Sequence, residues 1–298
     1  MSYREIKSAF AVAEEDVQQL QKTVESILSK VKTEGDSAVR YYEKKFDEIY
    51  CIGGAQAIGT MAYGTDTIAP VDLIVGPGNQ FVMEAKRQVF GTVGIDFLAG
   101  PSECLVIADE TARVDYIAAD LLAQCEHDPQ ARGALVTTSE PLARKTLEEI
   151  ERQLKDRTTE EVARASWEDK GVVVVVDNLN DAARYANEYA PEHLEIHTAR
   201  PREVVSLLKN YGSLFIGENT AEVYADKIAG PNHILPTGAA ARYTGGLWVG
   251  MFLKVVTHME VDGPASLKLA KYAETQGAYE GMDAHRFAAA IRLSNLKE

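Results

Sequence analysis

The chain has 298 residues, enough for more than one lobe with a buried core. Its formal net charge of −14 argues against nucleic acid and anionic membranes as partners, because both bind basic surfaces. No apolar run approaches the roughly 18 residues of a membrane span, and the N-terminus lacks the layout of a signal peptide. Three cysteines without a CxxC pair favour buried thiols in a reducing compartment, so we expect a cytoplasmic protein.

Apolar residues at helical spacing predict an amphipathic helix over residues 16–33, and Asp36 can cap a second helix that runs to about residue 46. From residue 70 onward, short β-branched runs alternate with helical patterns. Strands are predicted at residues 73–75, 104–108, 134–138, 172–176 and 214–216, and helices at about 80–89, 114–126, 140–155, 180–189, 202–210 and 264–295. This alternation is typical of a mostly parallel sheet that helices cover on both faces.

A glycine-rich turn, Gly-Pro-Gly-Asn at residues 76–79, lies between the first of these strands and the helix that follows it. Glycines let the backbone approach a ligand closely, and a helix N-terminus offers free amides to a phosphate. The run is not the GxGxxG fingerprint of dinucleotide-binding folds. A tight turn without a ligand is therefore the alternative interpretation.

Two polar pairs are candidates for metal binding and proton transfer. Gln124 and His127 are three residues apart on one face of a predicted helix, where they would suit a zinc site or serve as a helix cap. Glu192 and His193 are adjacent at the start of an apolar stretch. A carboxyl and an imidazole in contact could divide proton transfer between them, or they could be neighbours without a shared role.

Further candidates lie towards the C-terminus. Asp226 precedes His233 by seven residues, and the Gly-Pro-Asn-His run at 230–233 is too irregular for a helix or strand. Such loops often carry functional groups, although a structural turn is the alternative. The terminal helix carries Glu280 and His285, which alone would be typical of an exposed surface. Together these groups form the inventory of a metal-assisted dehydrogenase.

The motifs occur in one specific order along the chain. They are Gly-Gly-Ala-Gln-Ala-Ile at 53–58, Gly-Pro-Gly-Asn at 76–79, Glu-Ala-Lys-Arg-Gln-Val at 84–89, Ile-Asp-Phe-Leu-Ala-Gly-Pro-Ser-Glu at 95–103, Glu-His at 126–127, Ala-Pro-Glu-His-Leu at 190–194 and Gly-Pro-Asn-His at 230–233. In this order they resemble the histidinol dehydrogenase family, and the resemblance covers about residues 20–295.

The resemblance implies a role for each matching residue. It implies that zinc is bound by Gln124, His127, Asp226 and His285. It implies that Glu192 and His193 are the catalytic acid/base pair, that substrate contacts come from Ser102, His233 and Glu280, and that NAD contacts come from Gln56 and Asn79. The implied reaction oxidises L-histidinol to L-histidine through a bound aldehyde with two NAD.

The implied fold is α/β, with mostly parallel sheets in Rossmann-like lobes, one of them incomplete. We expect N-terminal helices over 1–50, a remnant of the nucleotide-binding lobe over 51–99, a main α/β lobe with the zinc and acid/base residues over 100–240, and a C-terminal helical dimerisation arm over 241–298. Because the family forms intertwined homodimers, the resemblance implies that His285 completes the zinc site of the partner subunit.

The chain departs from the family near residue 50. A Lys-Phe-Asp helix end at 45–47 almost adjoins the Gly-Gly-Ala-Gln segment, whereas the family separates them by a long stretch. We therefore predict an internal deletion that removes the first part of the nucleotide-binding lobe, and a compact variant of this lobe is the alternative interpretation. Zinc binding should survive this loss better than NAD binding. A deleted, inactive dimeric relative is accordingly one alternative function.

A second departure concerns the substrate. Lys227 follows Asp226 where many members of the family have tyrosine, and a lysine disfavours the ammonium group of histidinol. Residues 241–250 also resemble those of paralogues such as sulfopropanediol dehydrogenase. The second alternative function is therefore a dehydrogenase of an anionic diol, with Lys227 as a substrate-binding residue, unless Lys227 points to solvent.

Overall fold

The computed structural model describes residues 3–7, 14–38, 41, 52–155 and 157–295. The chain divides into two units, Met1–Met251 and Phe252–Glu298. The predicted junction near residue 50, Cys51 and most of the helix expected after Asp36 lie outside the described residues. The division into four parts stays a prediction.

A six-stranded sheet forms the centre of the first unit, in the order β1-β6-β5-β4-β7-β8. Its strands are β1 (Tyr3–Lys7), β4 (Glu103–Ala108), β5 (Arg132–Thr137), β6 (Val172–Val176), β7 (His193–His197) and β8 (Ser213–Ile216). Strands β4 to β8 pair in parallel, and β1 pairs antiparallel with β6 at one edge. The parallel strands are rich in β-branched residues because both of their faces are buried.

Helices cover both faces of this sheet. They are α4 (Val114–Cys125), α5 (Glu140–Leu154), α6 (Glu160–Lys170), α7 (Leu179–Tyr189) and α8 (Pro201–Val205). Alternate residues of β4 point to opposite faces. Val106 packs in one core with Leu121 of α4 and Trp167 of α6, whereas Ile107 packs in a second core with Ala186 of α7.

A smaller layer precedes the sheet in sequence. It contains α1 (Glu14–Glu34), α2 (Gly54–Tyr63), α3 (Gln80–Val89) and the parallel pair β2 (Leu73–Ile74) and β3 (Gly94–Ile95). Its core includes Leu28, Ile58 and Val89. Gly59 lets α2 approach α1 closely, since an added Cβ would lie 3.2 Å from side-chain atoms of Leu28 and Val31.

The remaining elements are α9 (Glu222–Tyr224), a π-helix (Ala225–Ala229) and two 3-10 helices (Ala240–Arg242 and Val249–Phe252), followed by α10 (Gly263–Tyr279) and α11 (Asp283–Asn295). In the second unit α10 packs on α11, and Gly277 makes room for this contact because an added Cβ would lie 2.8 Å from the Arg286 nitrogen. No described helix is long and apolar enough to cross a membrane.

The α/β class with mostly parallel sheets is confirmed. The sequence analysis missed β1, β3 and α6, and the last predicted helix is two helices separated by Gly281 at a φ of 70°. A two-residue strand carries too little periodic signal to predict. The described cysteines, Cys104 and Cys125, are free and buried, as expected.

A buried ion pair fixes the glycine-rich turn after β2. The Lys86 ammonium donates to the Asp96 carboxylate and, at 2.8 Å, to the Gly76 carbonyl oxygen. The Asp96 carboxylate in turn accepts a hydrogen bond from the Gly76 amide at 2.8 Å. The side chains of Lys86 and Asp96 are 2% and 0% exposed, so water cannot solvate either charge.

We predict that Lys86→Met destabilises the protein by about 3–5 kcal/mol, because it leaves the Asp96 carboxylate buried without a cation. Urea denaturation measures this change. Arg144→Met is the matched control, since Arg144 pairs with Glu140 on the exposed surface and should matter little. Equal unfolding midpoints for Lys86→Met and the unsubstituted chain would contradict the prediction.

Candidate active site

A cavity of about 350 Å³ in the first unit gathers most of the predicted site residues. The predicted residues that line it are Asn79, Ser102, Gln124, His127, Glu192, His193, Asp226 and His233. Ser102 and Glu192 directly precede β4 and β7, so the cavity lies at the amino ends of these two neighbouring strands. Ala190 ends α7 in the left-handed conformation, at a φ of 53°, and thereby turns the chain into β7.

Helix α4 carries two of the predicted metal ligands where it ends at the cavity. Gln124 is fully buried, and the His127 Nδ1 lies 3.2 Å from the Gln124 carbonyl oxygen. The His127 Nε2 lies 3.4 Å from Asp226 Oδ2, and Asp226 Oδ1 lies 3.2 Å from His233 Nδ1. The Asp226 carboxylate therefore lies between two imidazoles. This position suits a carboxylate that hydrogen-bonds to both rings or one that binds a metal.

His193 at the start of β7 is buried and contacts the end of α4. Its Nδ1 lies 2.9 Å from the Gln124 Oε1, and its ring packs on Phe215 with 5.9 Å between the ring centroids. Burial lowers the pKa of His193 to about 4, against the opposing effect of the Asp226 charge. The imidazole is therefore neutral at neutral pH and can accept a proton.

Glu192 has the opposite perturbation. Burial raises the pKa of Glu192 to about 8, although the Glu103 amide donates a hydrogen bond to its Oε2 at 3.0 Å and favours the charged form. The Glu192 Oε2 lies 3.9 Å from the His193 Nδ1. A carboxyl that titrates close to neutral pH can act as either an acid or a base.

The sequence analysis missed Glu222, a buried carboxyl beside this pair. Its Oε1 lies 3.8 Å from the His193 Nε2, and burial together with Asp226 raises the pKa of Glu222. Against the opposing effect of burial, a hydrogen bond from Glu222 and the charge of His233 lower the pKa of Asp226. Glu222 precedes Asp226 by four residues, and this i, i+4 spacing was the available signal.

The donor atoms fit a zinc ion. His127 and Asp226 supply a nitrogen and an oxygen only 3.4 Å apart, and zinc binds such N/O sets. Gln124 can bind a metal only through its Oε1, which lies 2.9 Å from the His193 Nδ1. His193, Glu222 and Asp226 also each offer one ligand atom, all within 4.8 Å of one another. Asp226 is common to both sets, so it is the central candidate for a metal ligand.

The fit to NAD is partial. Asn79 lines the cavity, but its Oδ1 accepts hydrogen bonds from the Phe81 and Val82 amides at 3.1 and 3.2 Å and so caps α3. A phosphate at this helix N-terminus would compete with that cap. Gln56 lies half-buried on α2 and is not among the residues that line the cavity.

Three other predicted residues lie elsewhere. Lys227 is exposed and is not among the residues that line the cavity. Its Nζ lies 3.5 Å from Asp226 Oδ2. Glu280 and His285 belong to the second unit, where both are exposed. The Glu280 Oε1 accepts a hydrogen bond from the Gln276 Nε2 at 2.8 Å. The predicted roles of these three residues stay predictions.

Comparisons with known proteins point to one family. A family model described as Histidinol dehydrogenase matches residues 47–293. A "Histidinol dehydrogenase homolog" of Shouchella clausii is 49% identical over 247 residues, which cover 83% of this chain and 58% of the relative. "Histidinol dehydrogenase 1" of Nostoc sp. is 48% identical over 251 residues, which cover 84% of this chain and 58% of the relative.

The fold comparison agrees with the sequence comparisons. A solved histidinol dehydrogenase from Elizabethkingia anophelis is similar with a TM-score of 0.73 and 31% identity, over 100% of this chain and 73% of that chain. The chain spans about 58% of the length of the curated relatives it matches. The predicted internal deletion stays a prediction.

We predict that Glu192→Gln gains stability relative to the unsubstituted, metal-free chain as the pH rises from 5 to 8. An unfolded glutamate loses its proton near pH 4.5, whereas the folded Glu192 keeps it until about pH 8. In this window the native state binds more protons, so its stability falls by up to about 1.4 kcal/mol per pH unit, and glutamine removes this loss.

Urea denaturation at several pH values measures the difference between the two proteins. Glu188→Gln, at an exposed glutamate of α7, is the matched control. A Glu192→Gln effect that does not change with pH would contradict the raised pKa.

Proposed function

Because the chain belongs to the histidinol dehydrogenase family, we propose that it is a dehydrogenase that oxidises L-histidinol to L-histidine through a bound aldehyde, with zinc and two NAD. One observation carries the proposal: a single cavity gathers a neutral imidazole, a carboxyl with a raised pKa and a nitrogen-oxygen donor set for a metal. These are the groups that an alcohol oxidation followed by attack of water requires.

His193 is the proposed base for the alcohol. The Gln124 Oε1 can only accept a hydrogen bond, so its 2.9 Å contact assigns the imidazole proton to the His193 Nδ1. The Nε2 then carries the free lone pair and takes the proton from the substrate hydroxyl. Burial keeps the ring neutral, so its Nε2 lone pair is free, and the negative charge of Asp226 favours the protonated ring that forms.

Glu192 is the proposed base for the second step. Its carboxyl is held by the Glu103 amide and adjoins His193, so it can take a proton from the water that adds to the aldehyde. The ionised form of a carboxyl with a raised pKa is a stronger base than an ordinary glutamate, and the positive charge of a bound zinc would favour that ionised form. Ser102 and His233 line the same cavity and are the proposed substrate contacts.

Zinc would be held by Gln124, His127 and Asp226, with the partner subunit's His285 as the fourth ligand. It would supply a Lewis acid that polarises and orients the substrate. NAD would contact Asn79 and Gln56 and would supply the hydride acceptor. Asn79 already caps α3, and Gln56 of α2 does not line the cavity. Both observations support weaker binding of NAD than of zinc.

One alternative substrate class has an observation in its favour. Lys227 places an exposed ammonium 3.5 Å from a carboxylate oxygen that faces the cavity, and a cation there favours an anionic alcohol over the cationic histidinol. A dehydrogenase of a sulfonated diol would have the same acid/base pair and metal ligands. The third possibility is an inactive relative that keeps only the metal and the fold.

We predict that the zinc-loaded chain reduces NAD with L-histidinol, and that His193→Asn lowers the rate by about 10²–10⁴-fold because it removes the proton acceptor. NADH formation measures the rate. Lys145→Asn, at an exposed lysine of α5, is the control and should keep the full rate.

The substrate and cofactor arms of this experiment separate the alternatives. A higher kcat/KM for 2,3-dihydroxypropane-1-sulfonate than for histidinol would favour the anionic diol, and Lys227→Ala should then raise KM for that substrate alone. No turnover of either alcohol, with calorimetry showing zinc bound and NAD unbound, would identify the inactive relative.

We also propose that the chain is a homodimer in which the second unit contributes His285 to the partner subunit. The support is the apolar surface of this unit, whose residues Leu253, Val255, Met259, Tyr272 and Tyr279 are between 69% and 93% exposed. An apolar surface of this kind marks a protein interface more often than a free face.

We predict that the full chain sediments as a dimer, and that Val255→Glu together with Met259→Glu shifts it to a monomer, because the glutamates would be buried in the interface. Analytical ultracentrifugation measures the change. Phe90→Glu, at an exposed phenylalanine of the first unit, is the control. A monomeric unsubstituted chain at high micromolar concentration would contradict the proposal.

A further inference from the structure

A second group of ionisable side chains lies beneath the cavity, between α4 and β7. Asp120 is one helical turn before Gln124 on α4, and Glu195 and His197 follow His193 at alternate positions of β7. The spacings of four and two place each set on one face of its element. None of Asp120, Glu195 and His197 lines the cavity, so this triad is separate from the candidate active site.

The three side chains of this triad converge on one point. The His197 Nε2 lies 3.1 Å from the Glu195 Oε2 and 3.9 Å from the Asp120 Oδ2. Each residue offers one ligand atom, and the three atoms lie within 4.8 Å of one another. Donor atoms bound to one tetrahedral ion at 2.0–2.2 Å are about 3.4 Å apart, which the measured distances approach.

Glu195 and His197 are buried, and some of their polar atoms lack a hydrogen-bond partner of acceptable geometry. Glu195 and His197 are 0% and 1% exposed. The Glu195 Oε2 and both ring nitrogens of His197 form no hydrogen bond of acceptable geometry within the described part of the chain. Buried polar atoms are almost always paired, so such a cluster indicates a missing group at its centre.

A divalent cation could take the place of a proton that the triad holds without a metal. Burial and the neighbouring Glu195 carboxylate raise the pKa of Asp120 to about 8, so Asp120 keeps its proton near neutral pH in the metal-free chain. Among the described residues, no lysine or arginine forms an ion pair with Asp120 or Glu195. Both carboxyls can be ionised together only with a cation beside them, because the low dielectric of the interior penalises each buried charge. A divalent ion with two carboxylates and a neutral imidazole is electrically neutral as a whole.

We propose that Asp120, Glu195 and His197 form a second, structural site for a divalent transition-metal ion such as zinc. One nitrogen and two oxygen ligands suit zinc better than calcium or magnesium, which prefer oxygen alone. The ion would join α4 to β7 directly below the contact between Gln124 and His193. The Glu195 Oε1 also accepts a hydrogen bond from the Glu222 amide at 3.0 Å, so the same ion would hold the turn that carries Glu222.

Calorimetric titration of the metal-free, full-length chain with Zn²⁺ tests the proposal. We expect His197→Gln to bind one equivalent fewer than the unsubstituted chain and to lose several degrees of the zinc-dependent rise in Tm. Glu188→Gln, at an exposed glutamate of α7, is the control and should bind the same number of equivalents as the unsubstituted chain. His127→Ala should lose an equivalent independently, which separates this site from the proposed active-site zinc.

Equal zinc stoichiometry of His197→Gln and the unsubstituted chain would overturn the proposal. Because His197→Gln could fail to fold, anomalous diffraction at the zinc edge from crystals of the unsubstituted chain provides a second test. A peak within coordination distance of the Glu195 Oε2 and the His197 Nε2 supports the site. No peak there in a zinc-loaded crystal shows instead that the triad is a hydrogen-bonded network without a metal.

Discussion

The contact between Gln124 and His193 is the interaction on which the candidate active site depends. It joins the end of α4 to the start of β7 through a buried 2.9 Å hydrogen bond. An amide cannot titrate, so Gln124 fixes the imidazole tautomer without contributing a charge of its own. A carboxylate at the same place would favour the protonated imidazole and would remove the proton acceptor.

Burial has opposite effects on the two groups of the acid/base pair. It lowers the pKa of His193 to about 4 and raises that of Glu192 to about 8, because in each case it disfavours the charged form. Both groups are therefore neutral near pH 7 in the metal-free chain. His193 and Glu192 can both stay neutral because they lie at the amino end of β7. There His193 contacts Gln124 of α4, and Glu192 accepts a hydrogen bond from the Glu103 amide.

Most of the fold was predictable from repeating patterns. The five valines of β6 are consecutive, and the apolar residues of α3 keep helical spacing along the whole helix. The order of short motifs predicted candidate site residues that line one cavity in the structure, including Asp226 and Glu192. Sequence spacing could not reveal the triad of Asp120, Glu195 and His197, because its members come together only through the packing of α4 against β7. For Glu222 the i, i+4 spacing to Asp226 was the one available signal. Strand β1 was equally hidden, since its partner β6 lies about 170 residues away in the chain.

The position of the cavity explains why this edge of the sheet suits cations. In βα units a helix runs back to the amino edge of the sheet, so α4 and α7 both end beside the cavity. The C-terminus of a helix carries partial negative charge and free carbonyl oxygens, which stabilise a nearby positive charge. Phosphates bind at the opposite, carboxyl edge in most open α/β sheets. The amino edge therefore favours a metal ion, and the proposed NAD would place its anionic part against the separate layer that contains α2 and α3.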